Sequence, residues 1–217
     1  MTATSLAGPA AHARPADIRV DLLLIADMVA PSCRVLDIGC GEGELLEYLA
    51  REKRVDGRGI ELSQAGVNAC VSRGLSVVQG DADTDLRDYP TGSFDYAILS
   101  QTLQATRKPD QVLRQLLRIG KRAIVSFPNF GYWKVRLSML WHGRMPVTSA
   151  LDQPWYDTPN IHLCTIRDFA LLCDALGITV EKRIAVDRFG QKGIVGSSGL
   201  LANLLAEQGV FLLSKKR

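Results

Sequence analysis

The sequence predicts an α/β domain built on a doubly wound, mostly parallel sheet of seven strands, with an insertion after the fifth. Three observations predict it. Short apolar runs alternate with segments of helical period along most of the 217 residues. The first run, RVLDI at 34–38, leads directly into the glycine cluster GCGEG at 39–43. Such regular alternation forces right-handed crossovers that put helices on both faces of a sheet.

Each element follows from its residues. A helix is expected around 18–29, before the strand at 34–38. After Gly43, Leu45, Leu46 and Leu49 share one helical face, and DGRGIEL then reads as a second strand reaching Glu61. Ser63 is a plausible N-cap for a helix facing inward with Val67, Cys70 and Val71, and Gly74 suits its left-handed end. LSVVQ at 75–79 is the third strand. The run FDYAILS at 94–100 is mostly apolar, as expected of a strand covered on both sides. A helix over 109–119 buries Val112, Leu113, Leu116 and Leu117, stops at Gly120, and hands over to RAIVSF as the fifth strand.

The rhythm then breaks. Residues 128–164 hold all three tryptophans and several prolines, and are expected to form an insertion or lid over the site. Thr165 and Asp168 make a capping box for a helix burying Phe169, Leu172, Cys173 and Leu176, closed by Gly177. The strand ITVEKRIAV, a loop over GQKGIVGSSG, a short helix at 201–206 and the strand VFLLS complete the chain. Residues 1–16, rich in Ala, Thr and Pro, read as a flexible leader, leaving 17–217 as a single domain.

Composition excludes several function classes. With 47% hydrophobic and 23% charged residues the chain is an ordinary globular protein. A net charge of +3, from 26 basic and 23 acidic residues, is too weak for nonspecific nucleic-acid binding. Five cysteines without a C-x-x-C pair argue against a disulfide framework and a thiolate metal site, so reduced thiols in a cytoplasmic protein are expected. No segment suits a signal peptide or a membrane span.

Gly39, Gly41 and Gly43 stand where a bare backbone can bend sharply and approach a ligand. A dinucleotide fingerprint would need glycine at 44. Glu44 is there instead, beside Glu42, and two carboxylates at a helix start repel a diphosphate. That disfavours a nicotinamide-dependent dehydrogenase and favours a cationic or zwitterionic ligand. Glu61, at the second strand end, is placed to accept from ribose hydroxyls, the plain alternative being a surface Glu. Asp81, in QGDAD, is placed to accept from an adenine amino group, or simply forms a turn. Asp37 either orients the glycine loop through backbone amides, the favoured reading, or meets a ligand amino group.

Through VLDIGCGEG, GIELS, QGDAD and FDYAILS the chain resembles the class I methyltransferases. Through LSQTLQAT, FPNFGYWKVRL, GRMPVT and WYDTPNIHLCTIRDF it is similar to the methionine biosynthesis protein W (MetW) family. The resemblance implies a Rossmann-like methyltransferase fold, S-adenosylmethionine or S-adenosylhomocysteine as ligand, and homoserine O-acyltransferase (MetX) as partner. It implies ligand binding more than catalysis.

No catalytic residue is assigned. Gln101, Thr102 and Gln104, after the fourth strand, do not titrate near neutrality. His142, His162, Tyr132, Tyr156 and Asp157 are candidates, each with a structural alternative. Trp133, Leu137, Leu140 and Trp141 share a helical face, either a lid packed on the sheet, which is favoured, or a partner-binding stripe.

Overall fold

A computed structural model describes residues 18–148, 151, 153–186, 192–193 and 199–216. The expected leader at 1–16 and most of the GQKGIVGSSG loop lie outside the described residues. The helices are α1 (Val20–Met28), α2 (Glu44–Lys53), α3 (Gln64–Ser72), α4 (Pro109–Ile119), α5 (Trp133–His142), α6 (Ile166–Ala175) and α7 (Gly199–Leu205). The strands are β1 (Arg34–Ile38), β2 (Asp56–Glu61), β3 (Ser76–Gln79), β4 (Phe94–Ser100), β5 (Gly120–Pro128), β6 (Ile178–Val186), β7 (Lys192–Gly193) and β8 (Gln208–Lys215).

The strands join in one sheet in the order β3-β2-β1-β4-β5-β8-β6-β7. β3, β2, β1, β4 and β5 pair in parallel, while β8 runs antiparallel between β5 and β6. The seven expected strands are all present. The two-residue β7, paired antiparallel with β6, adds an eighth that the Gly/Ser-rich composition concealed.

Alternation along each strand divides the core. Leu36, Ile38, Leu99, Val125 and Phe127 point to one face, where α4 and α6 bring Leu113, Leu116 and Phe169. Val35, Tyr96, Ile98 and Ile124 point to the other, against Leu24 and Ile25 of α1 and Leu49 of α2. Asp37 shares the side of Val35, two residues before it, because side chains alternate with period two. Of the faces expected for α3, Val67 and Cys70 are buried but Val71 is 57% exposed, because this helix covers the sheet near its β3 edge.

The capping box of α6 is complete: Thr165 accepts from the Asp168 amide while Asp168 accepts from Thr165 N. Ser63 holds the N-cap position of α3, but its hydroxyl makes no cap bond. Gly74 and Gly177 carry φ of +75° and +66°, the left-handed ends expected of them. Because β2 lies on one side of β1 and β4 on the other, the loop after β1 opens at the point where strand order reverses. Open parallel sheets bind ligands in that crevice.

Candidate ligand-binding site

The loop after β1 is held from β2. Gly39 N and Cys40 N both donate to Ile60 O, at 2.8 and 3.2 Å. Gly41 N donates to Glu61 Oε2 at 2.8 Å, and Glu61 Oε1 accepts from Ser63 N at 2.9 Å. Glu61 therefore orients the loop, the task the sequence had suggested for Asp37. A carboxylate has about four acceptor positions, so this leaves capacity for a ligand hydroxyl. Gly39 has φ +71°, and a Cβ there would meet Thr102 Oγ1 at 2.4 Å. Gly43 (φ +83°) serves packing instead, since a Cβ would strike Leu75 Cδ1 at 2.4 Å and Cys70 Sγ at 2.9 Å.

Two cavities of about 200 Å³ each meet at Gly39. One is lined by Ile60, Glu61, Asp81, Asp83, Thr102 and Thr106. The other is lined by Arg19, Asp37, Gly41, Glu42, Glu44 and Ser100. Either alone is small against the roughly 300–1,000 Å³ of an ordinary ligand pocket. A two-part molecule passing over Gly39 would occupy both.

Asp37 is 2% exposed and its Oδ1 has no hydrogen-bond partner. Burial pushes its pKa up to about 7, opposed by Arg19 and assisted by Glu61. Arg19 pairs with the buried Asp21 at 3.2 Å and reaches Ser100 Oγ at 3.4 Å, so a cation stands at the mouth of the same cavity. Nothing in the sequence singled out Arg19, which precedes the first helix. Asp81 accepts from Asp83 N through Oδ1 and receives the Thr84 and Asp85 amides on its carbonyl, forming the turn while also lining the cavity. Asp83 accepts from the Arg107 and Lys108 amides and ties that turn to the segment after β4.

Gln101, at φ +49°, is strained at the end of β4. Its Nε2 donates to Asp21 Oδ2, and Gln104 Nε2 donates to Gln101 O, so the polar groups here hold the turn. None of the five catalytic candidates lines either cavity. His142 and His162 contact backbone carbonyls, Tyr132 is buried, and Tyr156 is 74% exposed. The favoured lid reading of the aromatic stripe is overturned at its outer end: Leu140 and Trp141 are 78% and 74% exposed, because α5 buries only Val135.

Larger hollows of about 960 and 740 Å³ lie at the opposite, amino-terminal ends of the parallel strands. The first is lined by Lys121 and Arg122, which pair with Asp95 and Glu181. Burial pushes the thiols of Cys164 and Cys173 up to about 12, leaving them neutral and poor nucleophiles. Among the described residues no group of three or more His, Cys, Asp or Glu could hold a metal ion. No helix there is long and apolar enough to cross a membrane.

Comparison with known proteins follows the same lines. The family described as methionine biosynthesis protein MetW matches residues 19–213. A bifunctional methionine biosynthesis protein MetXA/MetW of Rhodopirellula baltica is 34% identical over 184 residues, 80% of this chain but 30% of that protein. A fatty-acid O-methyltransferase of Mycolicibacterium smegmatis is 36% identical over 91 residues, covering 40% of this chain and 32% of that one. The chain thus spans about a third of the length of these curated relatives. Solved structures share the fold. A SAM-dependent methyltransferase of Archaeoglobus fulgidus aligns at TM-score 0.62 and 16% identity, over 89% of this chain and 94% of that one. The [4+2]-cyclase SpnF aligns at TM-score 0.60 and 19% identity, over 91% and 80%.

Proposed function

Because the chain belongs to the methionine biosynthesis protein MetW family, we propose that it binds S-adenosylmethionine across Gly39 and acts in the cytoplasm as an accessory partner of homoserine O-acyltransferase (MetX). The observation that carries the ligand is the pair of cavities that Gly39 lines in common, with carboxylates in both and Arg19 in the second. In the first, Glu61 would hold the ribose hydroxyls and Asp81 the adenine amino group. In the second, Asp37 and Arg19 offer opposite charges to a zwitterionic amino-acid tail. Glu42 and Glu44 line that second cavity as well, and they favour a sulfonium over a diphosphate. When bound, such a ligand supplies an electrophilic methyl group. The chain's own residues bind and orient it.

The partnership is supported by the relative whose name joins MetXA and MetW in one protein. The fold alone does not decide the reaction, since it is shared with a cyclase. Calorimetry with S-adenosylmethionine, S-adenosylhomocysteine and NAD tests the ligand: both adenosyl compounds are expected to bind and NAD not. Glu61→Ala removes the loop anchor and the ribose acceptor together. It should weaken binding by on the order of 1 to 3 kcal/mol, and failure of the wild type to bind either adenosyl compound would refute the site. Co-purification with the acyltransferase and a changed acyltransferase rate on adding this chain test the partnership.

A second reading, methyl transfer to a small-molecule acceptor, is favoured by the fatty-acid O-methyltransferase relative. Proximity and alignment can drive a sulfonium displacement without a general base. Labelled S-adenosylmethionine incubated with cell metabolites should yield a labelled product if this reading holds.

A further inference from the structure

The first turns after β5 present apolar side chains that the other described residues leave uncovered. Trp133, Leu140 and Trp141 of α5 are 39%, 78% and 74% exposed, and Met145 and Val147 beyond it are 37% and 62% exposed. Large neighbouring apolar groups of this kind mark interaction surfaces rather than solvent-facing ones. The segment's position is fixed from inside: Phe130, Tyr132, Val135 and Leu151 form a small core of their own, and Phe130 N donates to Cys164 O. It stands where β5 ends, beside the carboxyl ends of the strands that form the ligand crevice.

The segment itself is basic in sequence. Lys134, Arg136 and Arg144 occur in it, and no acidic residue occurs between Asp110 and Asp152. Lys134 is seated over aromatic rings, its Nζ 5.6 Å from the Trp133 centroid and 6.0 Å from that of Tyr132. A basic amphipathic helix can also lie on an anionic bilayer, with cations opposite its apolar side. Here Lys134 and Arg136 are interleaved with Trp133, Leu140 and Trp141. That is the arrangement of a protein interface, apolar anchors with a charged rim.

We propose that α5 and the turn after it form the docking surface for the acyltransferase, with Leu140 and Trp141 entering an apolar cleft whose rim is acidic. This rests on the partnership proposed above. The occupant is chosen on the relative whose name joins MetXA and MetW in one protein.

The test measures association of the full chain with purified homoserine O-acyltransferase by calorimetry at two salt concentrations. Leu140→Ser with Trp141→Ser should weaken association at least tenfold while leaving S-adenosylmethionine affinity and the thermal transition unchanged. Lys134→Glu with Arg144→Glu should weaken it and reduce its salt dependence. Leu171→Ser, at an exposed position on α6 (57%), should change nothing. If the wild type does not associate, the partnership falls and this surface with it. If it associates and the Leu140/Trp141 variant does so equally, the surface alone is overturned. Sedimentation of the wild type with phosphatidylglycerol vesicles, abolished by the same double variant, would overturn the choice of a protein as the occupant.

Discussion

Asp37 is where the fold and the proposed ligand would make opposite demands. A buried carboxylate without a partner on one oxygen destabilises the folded chain whenever it is ionised, which is why its pKa rises to about 7. The folded state then holds a proton that the unfolded state has released, so stability is greatest near and below the ordinary Asp value and falls as pH rises toward 7. Asp37→Asn is expected to raise the melting temperature above pH 7 and to lose this advantage near pH 4, as scanning calorimetry at several pH values would reveal. An ammonium ligand favours the ionised form, so wild-type affinity for S-adenosylmethionine should strengthen through pH 7, and Asp37→Asn should flatten that dependence. Gly39→Ala should fail differently. Its Cβ collides with Thr102 and its φ of +71° disfavours any side chain, so a loss of about 1 to 3 kcal/mol in urea unfolding is expected, together with loss of ligand binding. The glycines and Glu61 were legible in the sequence because loop, strand end and spacing are local. That Glu61 and not Asp37 holds the loop was not, since it depends on which carboxylate the fold brings to the Gly41 amide.

At the scale of elements, Asn129 does what no local pattern announces. Its Nδ2 donates to Asn203 O and Ala206 O at 2.9 and 2.8 Å, and its Oδ1 accepts from Gly131 N and Ile166 N at 2.9 and 3.2 Å. One 2% exposed side chain thereby satisfies the end of α7, the start of α6 and the entry to α5. Asn129→Asp reverses the donors facing two carbonyls and should destabilise more than Thr165→Ala, which removes one cap and costs about 1 kcal/mol. Urea midpoints of the two variants give the comparison. The capping box could be read from four consecutive residues, whereas the two carbonyls that Asn129 caps lie more than seventy positions away. The helices that cover the sheet were legible from their apolar period. The exposure of α5 was not, because an apolar stripe has the same spacing whether it meets a sheet or another protein.

For the whole molecule, stability concentrates where β5, β8 and α6 meet. Phe127, Phe169 and Phe211 are all fully buried, with ring centroids 4.7 to 5.6 Å apart. Phe169→Ala is expected to cost about 3 to 5 kcal/mol, measured by denaturant unfolding, with the ligand crevice intact in the fraction that folds. The parallel half of the sheet was readable because β1, β2 and β4 are each followed by a helix of clear apolar period, which fixes the alternation of strand and helix. The antiparallel half was not. The pairing of β8 with two strands made before it depends on surfaces far apart along the chain.

That late wedge has a consequence for synthesis on the ribosome. β1 to β5 and their helices can assemble as they emerge, but β6 leaves the exit tunnel while its neighbour β8 is still inside it. Until Gln208–Lys215 follow, β5 presents a bare apolar edge along Ala123–Phe127 to the crowded cell. A nascent chain stalled between β6 and β8 is therefore the form most in need of a chaperone.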